Sequence, residues 1–421
     1  MVPAVFLFIA GAVLAEEYRN IKTIGSYGTK EGALYYPCGV AVDSVGNVYV
    51  TDWKNRKVTK FSADGRFILD FETKSRMYMR LKGPAGIAID SADNIFVVDQ
   101  YLAKVFKYSL DGKFIGSFGS YGSTQGKFLN PRGIAVDSEN SIYVADHDNF
   151  RVQKFNSKGD FMAELKYMNV ETKKYARPRG VACDASNNVY VVYSEIFKVV
   201  VFSAEGKMTA DFGESGALPG QFKNPRYAAC DNVGNVYVTD YDNHRVQKFN
   251  KNLKFVTTFG TNGKKPENFR NPEGIFVDAS GNIFIADALN DRISKWEPED
   301  VIKHANWAAL FEKKGLLQDA IGEYLEILKI RPKDQSASQS LIELYLKAAK
   351  KSQQTGNSVQ ARAYYSEVLK FDPLNEIAIR ETNELAGGTR EERDTKRQNI
   401  VLGVLVVMAV VVSIVMTFKS T

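Results

Sequence analysis

Three cysteines, three histidines and three tryptophans in 421 residues leave little material for a disulfide framework, a zinc cluster or a histidine-rich metal site. No His-x-His or Glu-x-x-His pair occurs, and no set of three histidines converges in any motif. Neither sign of charge dominates, with 55 Lys and Arg against 49 Asp and Glu, a net +6 that does not by itself call for nucleic acid. The chain has no Asn-x-Ser/Thr sequon, which fits a prokaryotic surface protein better than a eukaryotic secretory one. What is present is the balance of a globular protein, 44% hydrophobic and 25% charged, which excludes disordered and collagen-like classes. With 21 Tyr, 26 Phe and 32 Gly, the composition points to strands and turns.

Long apolar runs are confined to the two ends. Val2 to Ala15 carries no charge and ends in Val13-Leu14-Ala15, with short side chains at the last and third-last positions that suit cleavage, so residues 1–15 read as a signal peptide, with a retained anchor as the alternative. Ile400 to Phe418 is nineteen uncharged residues, enough at 1.5 Å per residue to span a ~30 Å hydrocarbon core, and 399–418 reads as a transmembrane helix with a 419–421 tail. Arg390, Arg393, Lys396 and Arg397 on its N-terminal side favour the cytoplasm by the positive-inside rule, whereas a cleaved signal places that side outside. The signal is preferred, since large domains translocate largely regardless of local charge; a cytosol-facing, tail-anchored form is the alternative.

Between the ends runs a repeat. Pro37, Pro84, Pro131, Pro178, Pro225 and Pro272 are each 47 residues apart, and Asp43, Asp90, Asp137, Asp184, Asp231 and Asp278 follow the same comb. A period of this length means a solenoid or a propeller. In the third copy, Gly133 to Asp137, Ser141 to Asp146, Arg151 to Phe155 and Asp160 to Leu165 are short β-branched and aromatic runs between turn clusters, the pattern of a four-stranded antiparallel blade. Such a blade cannot bury both faces alone, so six copies pack radially. Ile24 and Phe118 each stand thirteen residues before their proline, and the last copy ends after three strands at Trp296. The segment from Ile21 therefore supplies the missing outer strand and closes the ring.

The motifs Pro-x-Gly-[Ile/Val]-Ala-Val-Asp, Asn-[Val/Ile]-Tyr-Val-[Thr/Ala]-Asp and Asn-x-Arg-Val-Gln-Lys-Phe resemble NHL repeats, with YWTD-type six-bladed propellers the near alternative. The resemblance implies an all-β six-bladed propeller over 16–297. Tyr193 in place of the second Asp of unit four, Leu102 in place of an Asn in unit two and Tyr227 in place of the glycine of unit five depart from the pattern and bear on local turns. The comb of aspartates sits at strand ends, where a carboxylate accepts backbone N–H bonds, so it is read as turn structure and no metal is assigned. Cys183 and Cys230 replace Val or Ile at inner-strand positions and read as small core hydrophobes; with Cys38 left over, no disulfide is indicated.

Alternating strands put the loop before the first strand and the loop after the second on one face. At x of Pro-x-Gly stand Cys38, Ala85, Arg132, Arg179, Arg226 and Glu273, so three successive units direct an arginine toward the axis mouth. Arg177 adds a fourth, Asn130, Asn224 and Asn271 precede their prolines, and the second loop offers Trp53, Tyr101, His147 and Tyr241. Guanidinium forks bind carboxylate or phosphate in bidentate fashion, so this arc predicts an anionic or polar ligand or an acidic protein surface. The competing reading pairs the arginines with loop acids such as Asp148, Glu195 and Asp242. Peptide-amidating lyases and streptogramin lyases resemble this fold and work through histidine; here only His147 with a neighbouring Glu offers such chemistry. RNA binding, known among NHL propellers attached to RING and B-box modules, would use the same basic face in a cytosol-facing form.

From Pro298 helical spacing takes over. Trp307, Ala308, Phe311, Gly315, Ala320, Tyr324 and Pro332, followed 41 residues later by Ala348, Ala349, Gly356, Ala361, Tyr365 and Pro373, resemble tetratricopeptide repeats, the second seven residues longer than the usual 34. A helical module over 298–387 is expected, binding a peptide or acting as a spacer, then a charged linker over 388–398. The plan resembles the extracellular NHL sensor of mycobacterial receptor kinases without a kinase. The expectation is a membrane-anchored, extracytoplasmic, non-catalytic binding or scaffold protein with a protein, peptide, glycan or anionic small ligand as partner and no cofactor. A propeller lyase or hydrolase and a tail-anchored adaptor are the alternatives.

Overall fold

The computed structural model describes residues 17–71, 80–170 and 172–385. The expected signal peptide 1–15, charged linker 388–398, apolar segment 399–418 and tail 419–421 lie outside them. Among the described residues, no helix is long and apolar enough to cross a membrane.

Each 47-residue unit folds as its turns dictate. In the third, Pro131–Val136, Ile142–Asp146, Arg151–Phe155 and Phe161–Leu165 pair in that order as one antiparallel sheet, and five further four-stranded sheets repeat it. The first strand begins two residues earlier than the motif predicts because Pro131 pairs with Asp146; a bulge then separates it from the Ile134–Val144 pair. Four other units bulge at the same place, between Pro37 and Val40, Pro84 and Ile87, Pro225 and Ala228, and Pro272 and Ile275. A bulge re-aims the residue it contains, and here that residue is x of Pro-x-Gly.

The core lies between neighbouring sheets. Phe96, Val98, Val105, Phe128, Ile142, Val144 and Phe155 are buried together between the second and third blades. Full burial of each such side chain contributes about 1.5–3 kcal/mol, so blade-on-blade packing is the main stabilising term. The ring closes through the segment ahead of the first repeat: Tyr18–Ile24 pairs with Arg292–Pro298, Ile24 opposite Ile293, to complete the blade of Ile283–Asp287 and Pro272–Val277. Closure buries the facing sides of the last and first blades, where Ile24, Phe284 and Ile293 pack with Val40, Val48 and Phe61.

The comb of aspartates is turn structure. Asp137 accepts the N–H groups of Glu139 and Ser141 and the Tyr143 hydroxyl, and Asp43, Asp184 and Asp231 repeat these contacts. The departures from the motif are absorbed locally. In blade two Asp99 binds the N–H groups of Lys82, Tyr101 and Leu102 directly, so the missing Asn is not needed. In blade four Tyr193 packs against Tyr167 with ring centroids 5.5 Å apart, where the other blades carry an aspartate. In blade five the Tyr227 N–H donates to Thr239 Oγ1 at 3.0 Å, as Gly39 does to Thr51 in blade one. The three cysteines are free; Cys38 is buried and Cys183 and Cys230 are partly so.

The remaining described residues form five helices, α1 (Glu299–Lys313), α2 (Leu317–Ile330), α3 (Gln335–Gln354), α4 (Ser358–Phe371) and α5 (Glu376–Leu385). Asp334 and Asn357 cap α3 and α4 by accepting the N–H groups of Ala337 and Gln360. Gly315 and Gly356, at φ 74° and 77°, end α1 and α3 in the left-handed conformation a side chain disfavours. Ala320, Ala349 and Tyr365 are buried together in the core of the helices, and Ala361 is buried as well. Trp307, the first residue of the expected repeat pattern, is half exposed.

Candidate functional site

The close approach of blades at the axis explains the glycine of Pro-x-Gly. A Cβ on Gly86, Gly133 or Gly180 would stand 2.6, 2.7 or 2.5 Å from the carbonyl oxygen of Arg132, Arg179 or Arg226 in the next blade. At these three positions glycine allows the contact without displacing the neighbouring carbonyl. It brings the x residues of neighbouring blades together at one end of the axis, where a cavity of about 570 Å³ is lined by Cys38, Ala85, Arg132, Arg179 and Glu273 from these positions, with Tyr227 beside them. Its outer wall is aromatic and polar, formed by Tyr36, Trp53, Gln100, Tyr101, Tyr121, Leu129, Asn130 and Asp148.

Two guanidinium groups share one carboxylate there. Arg179 Nη2 stands 3.2 and 3.4 Å from the two Glu273 oxygens, and Arg226 Nη1 stands 4.0 Å from Oε1. Arg226 also lies over the Tyr241 ring, 4.1 Å from its centroid, a cation–π contact. Tyr36 bridges these groups, its hydroxyl 2.8 Å from that of Tyr241 and donating to Glu273 at 3.4 Å. Burial acts to lower the Arg179 pKa, but the Glu273 carboxylate together with Tyr227 and Cys38 outweighs it, and the pKa is raised.

Arg132 differs. None of the hydrogen bonds or ion pairs among the described residues engages its side chain; its Nε is buried without an acceptor, as are those of Arg177, Arg179 and Arg226. Burial, then the neighbouring Arg179 charge, lowers its pKa. A guanidinium enclosed beside two others and lacking its own carboxylate is a site of unsatisfied positive potential.

Five of the residues expected at the mouth line the cavity: Arg132, Arg179, Asn130, Trp53 and Tyr101. Arg226 and Tyr241 flank it through Glu273 and Tyr36. His147 and Arg177 do not line it but stand on Asp148: His147 Nδ1 is 2.7 Å from Asp148 Oδ1, and Arg177 Nε is 3.5 Å from the same oxygen. Arg177 turns to Glu195, 3.1 Å from Nη1, and lies over the Phe150 ring, because its position before the proline directs it to the rim. Burial, then the Arg132 charge, lowers the His147 pKa to about 4, so the imidazole is neutral at pH 7 and donates Nδ1–H to Asp148. Asn224 and Asn271 lie away from the lining as well, their amides taken by Asp242 and, for Asn271, the Tyr241 carbonyl. Of the two readings of the arginines, loop-acid pairing holds for Arg177 alone; Arg179 pairs across the axis, 94 residues or two blades away.

Sequence reasoning left Tyr36, Gln100, Tyr121, Tyr227 and Glu273 out of the site. Two of them carried a signal. Tyr36 occupies the position before the proline where Asn130, Asn224 and Asn271 stand, and Glu273 is the one acid among the x residues.

The NHL repeat family matches residues 128–155 and 222–249. A comparison with curated proteins returns no match. Among solved structures the chain is similar to a protein of unknown function from Bacteroides thetaiotaomicron, 19% identical, covering 66% of this chain and 76% of that one with a TM-score of 0.54. It is also similar to auxiliary nutrient binding proteins from Bacteroides thetaiotaomicron (14%, 66% and 76%, TM-score 0.51) and Bacteroides ovatus (12%, 67% and 77%, TM-score 0.50). Identities this low concern fold alone. Taken with the sheet order, these findings make the chain a six-bladed β-propeller carrying NHL repeats.

Proposed function

We propose that the propeller is a non-catalytic binding unit that captures an anionic ligand in its axis mouth, presented outside the cytoplasm by the apolar segment at 399–418. The observation that carries this reading is Arg132, enclosed in a cavity of drug-like size with no protein partner of its own. Two of the propellers of similar fold are named auxiliary nutrient binding proteins; that likeness is one of fold, and the binding reading rests on the mouth itself. His147 stands behind Asp148 rather than on the cavity wall, which favours binding over turnover. The helices carry the small and aromatic residues of tetratricopeptide-like repeats, and we assign them the part of a partner-binding spacer.

Titration of the purified full-length chain with acetate, benzoate and phosphate, followed by calorimetry, tests the mouth. Saturable binding of at least one anion is expected, weakened at least tenfold in Arg132→Gln, because one lost charge-assisted pair is worth about 1.5–3 kcal/mol. The variant should hold or raise the melting temperature, since the charged form of Arg132 is disfavoured in the folded state. Anion binding unchanged in Arg132→Gln would overturn the reading. Protease shaving of intact cells tests location: cleavage of the propeller with a mature start at Glu16 supports export, whereas full protection with Met1 retained supports the cytosol-facing adaptor.

A further inference from the structure

The two halves of the mouth differ in chemistry. On one side stands Arg132; on the other Trp53 and Tyr101 meet with ring centroids 6.3 Å apart, and Tyr101 and Tyr121 are 62% and 76% exposed although they line the cavity. No hydrogen bond among the described residues engages the Gln100 side-chain amide or the Tyr101 and Tyr121 hydroxyls. Asp148, already holding His147 and Asn130, adds a carboxylate to the same lining.

We infer that the ligand is an acidic sugar, a pyranose bearing a single carboxylate of the uronate type; the inference rests on the anion-binding reading above. Each part of the ligand meets a group that needs it. The carboxylate pairs with the Arg132 fork, the cationic donor in the lining that no ion pair among the described residues engages. The C–H face of the ring packs on exposed aromatic faces, which bury apolar surface at little conformational cost. The ring hydroxyls supply donors to Asp148 and both donors and acceptors to the Gln100 amide and tyrosine hydroxyls. The acids in the lining also discriminate: Asp148 and Glu273 repel a dianion such as phosphate, and a purely aromatic acid would bury Asp148 and Gln100 without satisfying them. A peptide end would need a free strand edge for its backbone. The innermost strands spend their carbonyls between blades, Arg179 on the Gly133 N–H and Glu273 on Thr239.

Calorimetry on the full-length chain compares galacturonate, glucuronate and tetragalacturonate with galactose, benzoate, phosphate and a C-terminal dipeptide. A uronate is expected to bind at least tenfold tighter than each of the other four, with loss of at least tenfold in Arg132→Gln. Tyr101→Ala, at an exposed position, should weaken uronate at least threefold more than it weakens acetate. Tighter binding of tetragalacturonate than of galacturonate assigns the site to a polysaccharide end, and equal or weaker binding to the free sugar acid. Benzoate, phosphate or dipeptide binding as tightly as the uronates would overturn the inference and leave anion capture standing. Binding of no anion would remove both.

Discussion

Replacing Glu273 by glutamine keeps shape and removes one charge, and this probes the centre of the mouth. The Arg179 and Glu273 side chains are only 14% and 4% exposed, so solvent screens their pair weakly. At 3.2 Å and an effective dielectric of about 20, the Coulomb term alone is about 5 kcal/mol. Removing one member of a buried pair costs about 3–5 kcal/mol because the other charge is stranded, and here Arg179 and Arg226 lose their shared carboxylate. At about 2–4 °C per kcal/mol for a domain of this size, the melting temperature should fall by roughly 10 °C. Tryptophan fluorescence during urea unfolding reads the change, and a cycle with Arg179→Gln isolates the pair, with a coupling of at least 1 kcal/mol expected. Sulfate, by occupying the freed positive potential, should restore part of the loss in Glu273→Gln and little in the parent. A variant within 0.5 kcal/mol of the parent, or strict additivity with Arg179→Gln, would refute the assignment of Glu273 as the counter-charge of the mouth.

Three further outcomes are expected. His147 is held near pKa 4 in the fold against 6.5 unfolded, so between those values the unfolded chain binds the extra proton and stability is lost as pH falls from 6.5 to 4. The loss is about 3 kcal/mol at full extent, and the difference in stability between the parent and His147→Asn, measured across that window, should carry this slope; a pH-independent difference would contradict it. Gly133→Ala forces a Cβ to 2.7 Å from the Arg179 carbonyl and should destabilise by about 1–3 kcal/mol, whereas Gly116→Ala, which meets nothing within 4 Å, should be neutral or mildly stabilising in the same thermal scan. Ile24→Ala empties a buried site in the closing strand and should cost about 2–5 kcal/mol, with hydrogen exchange rising along Arg292–Pro298 as the ring loosens.

The blades were legible because their cause is periodic. A 47-residue comb of Pro, Gly and Asp puts turns at fixed intervals, and short β-branched runs between turns have one low-energy use. The closing strand was legible for the same reason, since Ile24 falls in phase with the outer strands and pairs with Ile293. The arginine arc was legible in part. The comb identifies which residues share a position around the axis, and it placed Arg132, Arg179 and Arg226 correctly among them. It carries no information about reach across the axis, so the Arg179–Glu273 pair, 94 residues apart, did not follow from it. Neither did the turning of Arg177 onto Glu195 and Phe150 or the capture of Asn224 by Asp242, which depend on where neighbouring loops stand.

By itself the sequence determined the six blades, their strand order and the position from which each x residue faces the axis, because repeat length and turn chemistry act locally and identically in every unit. Only the tertiary structure decided which guanidinium is left without a partner. Six strands converging on one axis bring charges from distant units within a few ångströms, and with Glu273 the one acid among the x residues the distances alone settle that Arg179 takes it and Arg132 does not.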